Sequence, residues 1–270
     1  MRIEVNGVGL EVEVSGEGRP VVLLHGFPDS GRLWRHQRPA LVDAGFQVVV
    51  PDLRGYGGSD KPTEPDTYAI PFLAGDVLGI LDHLHIERAH VVGHDWGSAL
   101  GWAIASLAPE RVDHLVALSV GHPASFRTAG LAQNEKSWYM LLFQHEGIAE
   151  RWLSDNGWAN FREWSHHPDA DAVIAAVEQN GSLTPALNWY RANIPPESWV
   201  DPPMELPPVP APTMGVWSTG DMALTEAQMT GSAVHVSGPW RYERLDGSGH
   251  WMQLERPTDV NSLLLDFLPT

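Results

Sequence analysis

The segment Gly93-His94-Asp95-Trp96-Gly97 constrains the fold of this chain more than any other. It follows the apolar run Ala89 to Val92 and precedes Ser98 to Leu107, which reads as a helix. Glycines on both sides of the central residue permit a sharp strand-to-helix turn, which lifts one side chain above a sheet. The helix N-terminus then points at that side chain and favours negative charge there.

The residue so displayed is an aspartate, and its chemistry defines the electrophile. A serine that opened an sp3 carbon would leave an ether, which no ordinary water attack removes. If Asp95 opens it, the product is an ester, and water can hydrolyse an ester at its own carbonyl. Asp95 therefore points to displacement at saturated carbon, which narrows the chemistry to epoxide opening or halide displacement.

Strand and helix alternate around this turn. Ile3 to Val14 alternates in strand fashion about Asn6-Gly7, a hairpin signal. Val21 to Leu24 is a short apolar strand of the kind buried in a parallel sheet, and it runs into His25-Gly26-Phe27-Pro28. A helix is expected from about Leu33 to Asp43, then a strand from Gln47 to Val50 that ends at Pro51-Asp52-Leu53-Arg54-Gly55-Tyr56-Gly57. Ile70 to His83 reads as an amphipathic helix with Phe72, Leu73, Val77, Ile80, Leu81 and Leu84 on its apolar face. Leu115 to Val120 is the next strand. Such alternation implies an α/β fold, a mostly parallel central sheet flanked by helices.

From about Gly121 to Leu206 the rhythm stops, leaving helix-like stretches such as Lys136 to Phe143 and Ala170 to Gln179. The prolines at 202, 203, 207, 208, 210 and 212 close this block. Strands Thr213 to Ser218 and Arg241 to Leu245 and a helix Thr258 to Leu268 then resume the pattern. Residues 1–120 and 208–270 are thus expected to form the core domain, with residues 121–207 an inserted helical cap over the edge where open α/β sheets bind ligands.

Composition excludes several classes of function. A net charge of -17 argues against nucleic acid, which needs clustered Lys and Arg. Zero cysteines exclude disulfides and thiolate metal sites. No apolar run reaches membrane-spanning length and no secretory signal is visible, so a cytoplasmic enzyme without membrane partners is expected, as monomer or homodimer.

The nucleophile requires partners in the chain order nucleophile, acid, histidine. His250, in Gly247-Ser248-Gly249-His250-Trp251 after the last strand, suits a general base, because an unperturbed imidazole is largely neutral at pH 7. Asp221 ends Ser218-Thr219-Gly220-Asp221 and is placed to accept the second His250 proton; a helix N-cap is its plainer role, and the two are compatible. The oxyanion hole takes one backbone N–H from Trp96 and a second from Phe27, each typically worth about 3 kcal/mol. His25 reads as a brace of that loop rather than a second base.

With these motifs in view, the chain resembles the α/β-hydrolase superfamily and, within it, the soluble epoxide hydrolases. The resemblance covers nearly the whole chain, through His25-Gly26-Phe27-Pro28, Asp52 to Gly57, Gly93 to Gly97 and Gly249-His250-Trp251. It implies an epoxide substrate, a covalent alkyl-enzyme ester, a vicinal diol product, and neither metal nor organic cofactor. It also implies two cap tyrosines that hold the epoxide oxygen. Trp138 to Gln144 looks like the segment with the first, Tyr139, and Leu187-Asn188-Trp189-Tyr190-Arg191 like the segment with the second, Tyr190. Phe27, Trp96, Trp138, Trp189 and Trp251 are the candidate substrate-binding side chains for a small apolar epoxide. Six of the 12 tryptophans lie in the cap, and packing of that small unit is the main use expected of them. The pairs His83/His85 and His166/His167 lack a ligand cluster and read as exposed.

The nearest rival is a haloalkane or haloacid dehalogenase with the same triad, for which the Trp96 indole would bind halide. Many of those carry asparagine where this chain has Phe27, and fluoroacetate-type enzymes carry arginine after the nucleophile, where Trp96 stands. A hydrolase-fold ligand receptor would need no intact triad and tyrosine pair. A generic esterase lacks its elbow serine here, and Ser98 points elsewhere along the helix.

Overall fold

A computed structural model describes residues 1–203 and 205–270. Eight strands form one sheet: β1 (Arg2–Val5), β2 (Val8–Ser15), β3 (Arg19–Leu24), β4 (Phe46–Pro51), β5 (Ala89–His94), β6 (Val112–Leu118), β7 (Thr213–Ser218) and β8 (Trp240–Leu245). Their spatial order is β1-β2-β4-β3-β5-β6-β7-β8. The β1–β2 hairpin turns at Asn6-Gly7, β2 pairs antiparallel with β4, and every later pairing is parallel.

Successive residues on the parallel strands face opposite layers of core. Val22, Leu24, Val49, Val91, Leu115 and Ala117 join α2 (Ile70–His83) and α3 (Trp96–Leu107) on one face. Val21, Leu23, Val48, Val92, Val116 and Leu118 join the other face, with residues of α1 (Gln37–Asp43) and of two helices after β8. The period-two alternation of a strand does this sorting, so a strand buried on both faces reads as continuously apolar. Each fully buried Val or Leu contributes about 1.5–3 kcal/mol. A sheet of many such residues can therefore hold a locally strained residue that costs about 1–3 kcal/mol.

Between β6 and β7 the described residues contain six α-helices and no named strand: α4 (Pro123–Thr128), α5 (Leu131–Lys136), α6 (Trp138–Phe143), α7 (Ile148–Ser165), α8 (Ala170–Asn180) and α9 (Leu183–Asn193). The remaining helices are α10 (Glu226–Thr230), α11 (Met252–Glu255) and α12 (Pro257–Phe267). Among the described residues, no helix is long and apolar enough to cross a membrane.

Three local expectations need correction. The single helix expected over Lys136 to Phe143 is interrupted at Ser137, where α5 ends and α6 begins. Phe72 belongs to α2 as expected but is 52% exposed, because it lies one position off the stripe Leu73, Val77, Ile80 and Leu81 that meets the sheet. The expected helix from Leu33 is a 3-10 turn over Gly31–Trp34 followed by α1.

Candidate active site

Asp95 is the hinge residue between β5 and α3, with φ +53° and ψ -121°. The strained backbone is carried by the aspartate itself, not by its flanking glycines. Gly93 and Gly97 serve close approach: a Cβ on Gly93 would lie 2.2 Å from the Gly97 carbonyl oxygen, and one on Gly97 would lie 2.0 Å from that of Leu24. Any larger residue at either place would push the helix start away from the sheet. Gly26 clears room in the same manner, since its Cβ would stand 2.2 Å from Asp95 Oδ1.

The two carboxylate oxygens of Asp95 have different surroundings. Oδ1 accepts the Phe27 backbone N–H at 2.7 Å. Oδ2 faces His250 Nε2 at 3.7 Å, beyond hydrogen-bond reach. Trp96 opens α3, so its N–H belongs to the first turn, where helices lack internal acceptors. His25 accepts the Leu53 N–H on Nε2 at 3.0 Å, bracing the loop from behind; burial lowers its pKa and keeps that nitrogen an acceptor. A bidentate Arg54–Asp76 pair holds the Asp52-to-Gly57 turn onto α2.

His250 is held by β7 and β5. Its Nδ1 lies 3.0 Å from Asp221 Oδ2. Asp221 Oδ1 accepts the N–H groups of Ala223 and Leu224 at 2.8 and 2.9 Å, so this carboxylate closes a backbone turn and faces the imidazole at once. No helix begins there, and the N-cap role is replaced by this turn. His94 sits with its ring 4.7 Å from that of His250 and donates from Nε2 to the His250 carbonyl at 2.9 Å.

The charge state of His250 differs from the sequence expectation. Burial disfavours its protonated form, but Asp221 and then Asp95 outweigh burial and raise its pKa to about 10. In the unliganded site the ring is therefore an imidazolium between two carboxylates, rather than the neutral base an unperturbed imidazole would supply.

Tyr139 on α6 and Tyr190 on α9 reach the same cavity as Asp95 and His250. Their ring centroids are 6.1 Å apart. Burial, reinforced by the Asp95 charge, pushes both phenols well above their ordinary pKa, so both keep their protons. The cavity, its open mouth included, has a volume of about 280 Å³. Phe27 and Trp251 line it as expected, and Trp164 does so although packing was the main use expected of the cap tryptophans; Phe161, Met222 and Ala223 also line it, and nothing in their spacing marks them.

Three expected binding residues are elsewhere. Trp138 is 45% exposed and packs edge-on against Trp152. Trp189 is fully buried, with its indole N–H donated to the Arg54 carbonyl at 2.9 Å, so it ties α9 to the core. Trp96 packs on Tyr190 at 5.0 Å between ring centroids and is not a wall of the cavity. Sequence position alone cannot separate an aromatic that faces a cavity from one that faces its own domain. His166, His83 and His85 are exposed as expected, but His167 is buried. Its Nδ1 accepts the Asp169 N–H at 2.9 Å, which leaves Nε2 to meet Asp29 at 3.3 Å.

Comparison with known proteins agrees with this architecture. A family model described as alpha/beta hydrolase fold matches residues 19–162. The chain is 35% identical to epoxide hydrolase A of Mycobacterium tuberculosis, across 98% of this chain and 96% of that protein. The crystal structure of epoxide hydrolase A from Mycobacterium thermoresistibile superposes with a TM-score of 0.85 at 33% identity, covering 99% of this chain and 97% of that one. A single-site mutant of a Bacillus megaterium epoxide hydrolase, complexed with its naphthyloxy-propane-1,2-diol product, gives a TM-score of 0.90 at 28% identity, covering 99% of each chain. The chain belongs to the α/β-hydrolase fold family. Within that family it is a member of the epoxide hydrolases.

Proposed function

We propose that this protein opens a small apolar epoxide through a covalent ester on Asp95 and hydrolyses that ester to a vicinal diol. The observation that carries this reading is the convergence of Asp95, His250, Tyr139 and Tyr190 on one cavity whose other wall residues are apolar except for Ser165. The segment 121–207 acts as the cap that brings the tyrosines over the nucleophile. The Bacillus megaterium relative, with its 1,2-diol product, supports the same product class.

In the first step Tyr139 and Tyr190 hydrogen-bond the oxirane oxygen. Asp95 Oδ2, free of the backbone bond that occupies Oδ1, attacks carbon from the opposite side. The O–C bond forms, the ring C–O bond breaks, and the developing alkoxide takes a tyrosine proton. Esterification neutralises Asp95. It thereby removes the Asp95 charge, one of the influences that hold the His250 proton. The imidazolium sheds its proton, which restores the tyrosine. His250 becomes a base only after the ester has formed.

In the second step neutral His250 takes a proton from water, which attacks the Asp95 carbonyl carbon. The Phe27 and Trp96 N–H groups stabilise the tetrahedral oxyanion. Collapse expels the diol oxygen, which is protonated as it leaves. The proton of the regenerated carboxylic acid returns to His250. The sum is epoxide plus water giving diol.

One observation favours a second reading. The Trp96 indole nitrogen is buried without a hydrogen-bond partner among the described residues, although Trp96 packs on Tyr190 and does not line the cavity. Against it, the apolar Phe27 ring stands where a second halide donor is expected. An assay of purified protein on styrene oxide and 1-bromobutane decides between them. Diol without bromide supports the epoxide reading, and bromide without diol replaces it with dehalogenation.

A further inference from the structure

Ser119 is the residue immediately after β6, and nothing in the proposed reaction uses it. It is fully buried and has φ +71°, a conformation that L side chains rarely adopt. The Val120 N–H bonds back to the Leu118 carbonyl at 2.9 Å, closing a three-residue turn on Ser119, which is a strained form when φ is positive. The turn is clamped on both sides: the Ser119 N–H donates to Val216 on β7 at 2.8 Å, and its carbonyl accepts from Gln228 Nε2 at 2.8 Å. Glycine would sit here without strain, so the hydroxyl is the feature that distinguishes serine.

That hydroxyl lies inside the His250–Asp221 pair. Ser119 Oγ donates to Asp221 Oδ2 at 2.5 Å and stands 2.9 Å from His250 Nδ1. A hydroxyl has one proton and two lone pairs. With the proton committed to Asp221, a lone pair is left for the Nδ1–H, which then divides between Ser119 Oγ and Asp221 Oδ2 at 3.0 Å. Two acceptors, on the ends of adjacent strands, restrict the ring plane more tightly than one does. Asp221 gains a third kind of donor besides its two backbone N–H groups, which holds it ionised.

We propose that Ser119 is a positioning residue for the hydrolytic half-reaction, fixing the plane and tautomer of His250 so that Nε2 meets the water that attacks the Asp95 ester. This rests on the two-step reading given above. Ring opening does not need a neutral base, so the Ser119 hydroxyl matters after the ester forms and not before.

The test compares Ser119→Ala with Ser119→Gly. Both remove the hydroxyl, but only glycine relieves the positive φ, so Ser119→Gly should unfold at a higher temperature than Ser119→Ala. In single-turnover reactions with styrene oxide, alkylation should stay within about threefold of wild type in both. Ester hydrolysis should fall by roughly ten- to a hundredfold in both, part of the about 100- to 10,000-fold that a positioned base supplies. Intact-protein mass spectrometry would then show the ester accumulating. Equal slowing of both steps, or normal hydrolysis in Ser119→Gly with slow hydrolysis in Ser119→Ala, would overturn the proposal in favour of a purely structural role. The low-field proton resonance of the His250 Nδ1–H in the unliganded proteins gives a readout that needs no turnover. It should move or broaden in both variants relative to wild type. An unchanged resonance overturns the Ser119 assignment, whereas a wild type that forms no ester with styrene oxide counts against the Asp95 reading instead.

Discussion

His167 Nε2 meets the buried carboxylate of Asp29 at 3.3 Å, joining the helical segment over the sheet to the loop that supplies the Phe27 N–H. Asp29 Oδ2 also accepts the indole N–H of Trp251 at 2.9 Å, and the His167 and Trp251 rings lie 4.2 Å apart. Burial opposes the charge on Asp29, yet His167 and Trp251 outweigh it and hold its pKa below the usual carboxylate value. One carboxylate thus connects the loop after β3, the segment carrying His250, and the helical segment between β6 and β7.

Asp29→Ala should destabilise the protein by about 2–4 kcal/mol, because it leaves two buried donors without an acceptor. Asp29→Asn keeps one acceptor oxygen and should cost less. Urea unfolding of the two variants checks the order; equal midpoints would mean that the contacts contribute little.

Stability should depend on pH through His250, which is faced by Asp95 on the elbow, Asp221 after β7 and the His94 ring on β5. Its folded pKa, about 10, lies above an unfolded value near 6.5. The stabilisation is therefore complete below pH 6.5 and is lost as pH rises toward 10. The wild-type melting temperature should fall across that window more steeply than that of His250→Gln. Parallel curves would contradict a charged His250.

His250→Gln should complete one alkylation and then stall, since glutamine cannot take the water proton. Mass spectrometry after mixing with styrene oxide should find one equivalent of ester. A variant that stays unmodified would place His250 in the first step.

The tyrosine pair should act before the ester. Tyr139→Phe combined with Tyr190→Phe should reduce the alkylation rate by at least about 100-fold, the lower range for loss of a positioned proton donor. Ester hydrolysis should change far less. Normal ring opening of styrene oxide by the double variant would remove both residues from the mechanism.

Asp95→Ala should abolish turnover while leaving the circular dichroism spectrum close to that of the wild type. Retained diol formation would rule out the covalent route.

The order of strands and helices could be read from the chain because buried parallel strands are continuously apolar and amphipathic helices are periodic. The helix Ile70–His83 and the strand Thr213–Ser218 have the ends expected of them. Between β6 and β7 the sequence is less legible. Ser137 interrupts a helical pattern without a proline or glycine to announce it, and six tryptophans make every helix face look like a core. Trp138, Trp189 and Trp251 had equal standing in the sequence, and only packing sent one to solvent, one to the Arg54 carbonyl and one to the cavity.

Local sequence determined the elbow, since Gly93, Asp95 and Gly97 lie within five residues and the constraint is one of backbone approach. It also determined the chain order of Asp95, Asp221 and His250, because each sits at the end of its own strand. Tertiary structure alone decided the charge on His250, which depends on the carboxylates of Asp95 and Asp221, distant from one another in the chain, converging on one ring. It alone put Ser119 beside both Asp221 and His250 and joined His167 to Asp29 across 138 residues of chain. Electrostatics and hydrogen bonding act through space over a few ångströms, and no sequence window holds neighbours that only the folded sheet and the helices over it bring together.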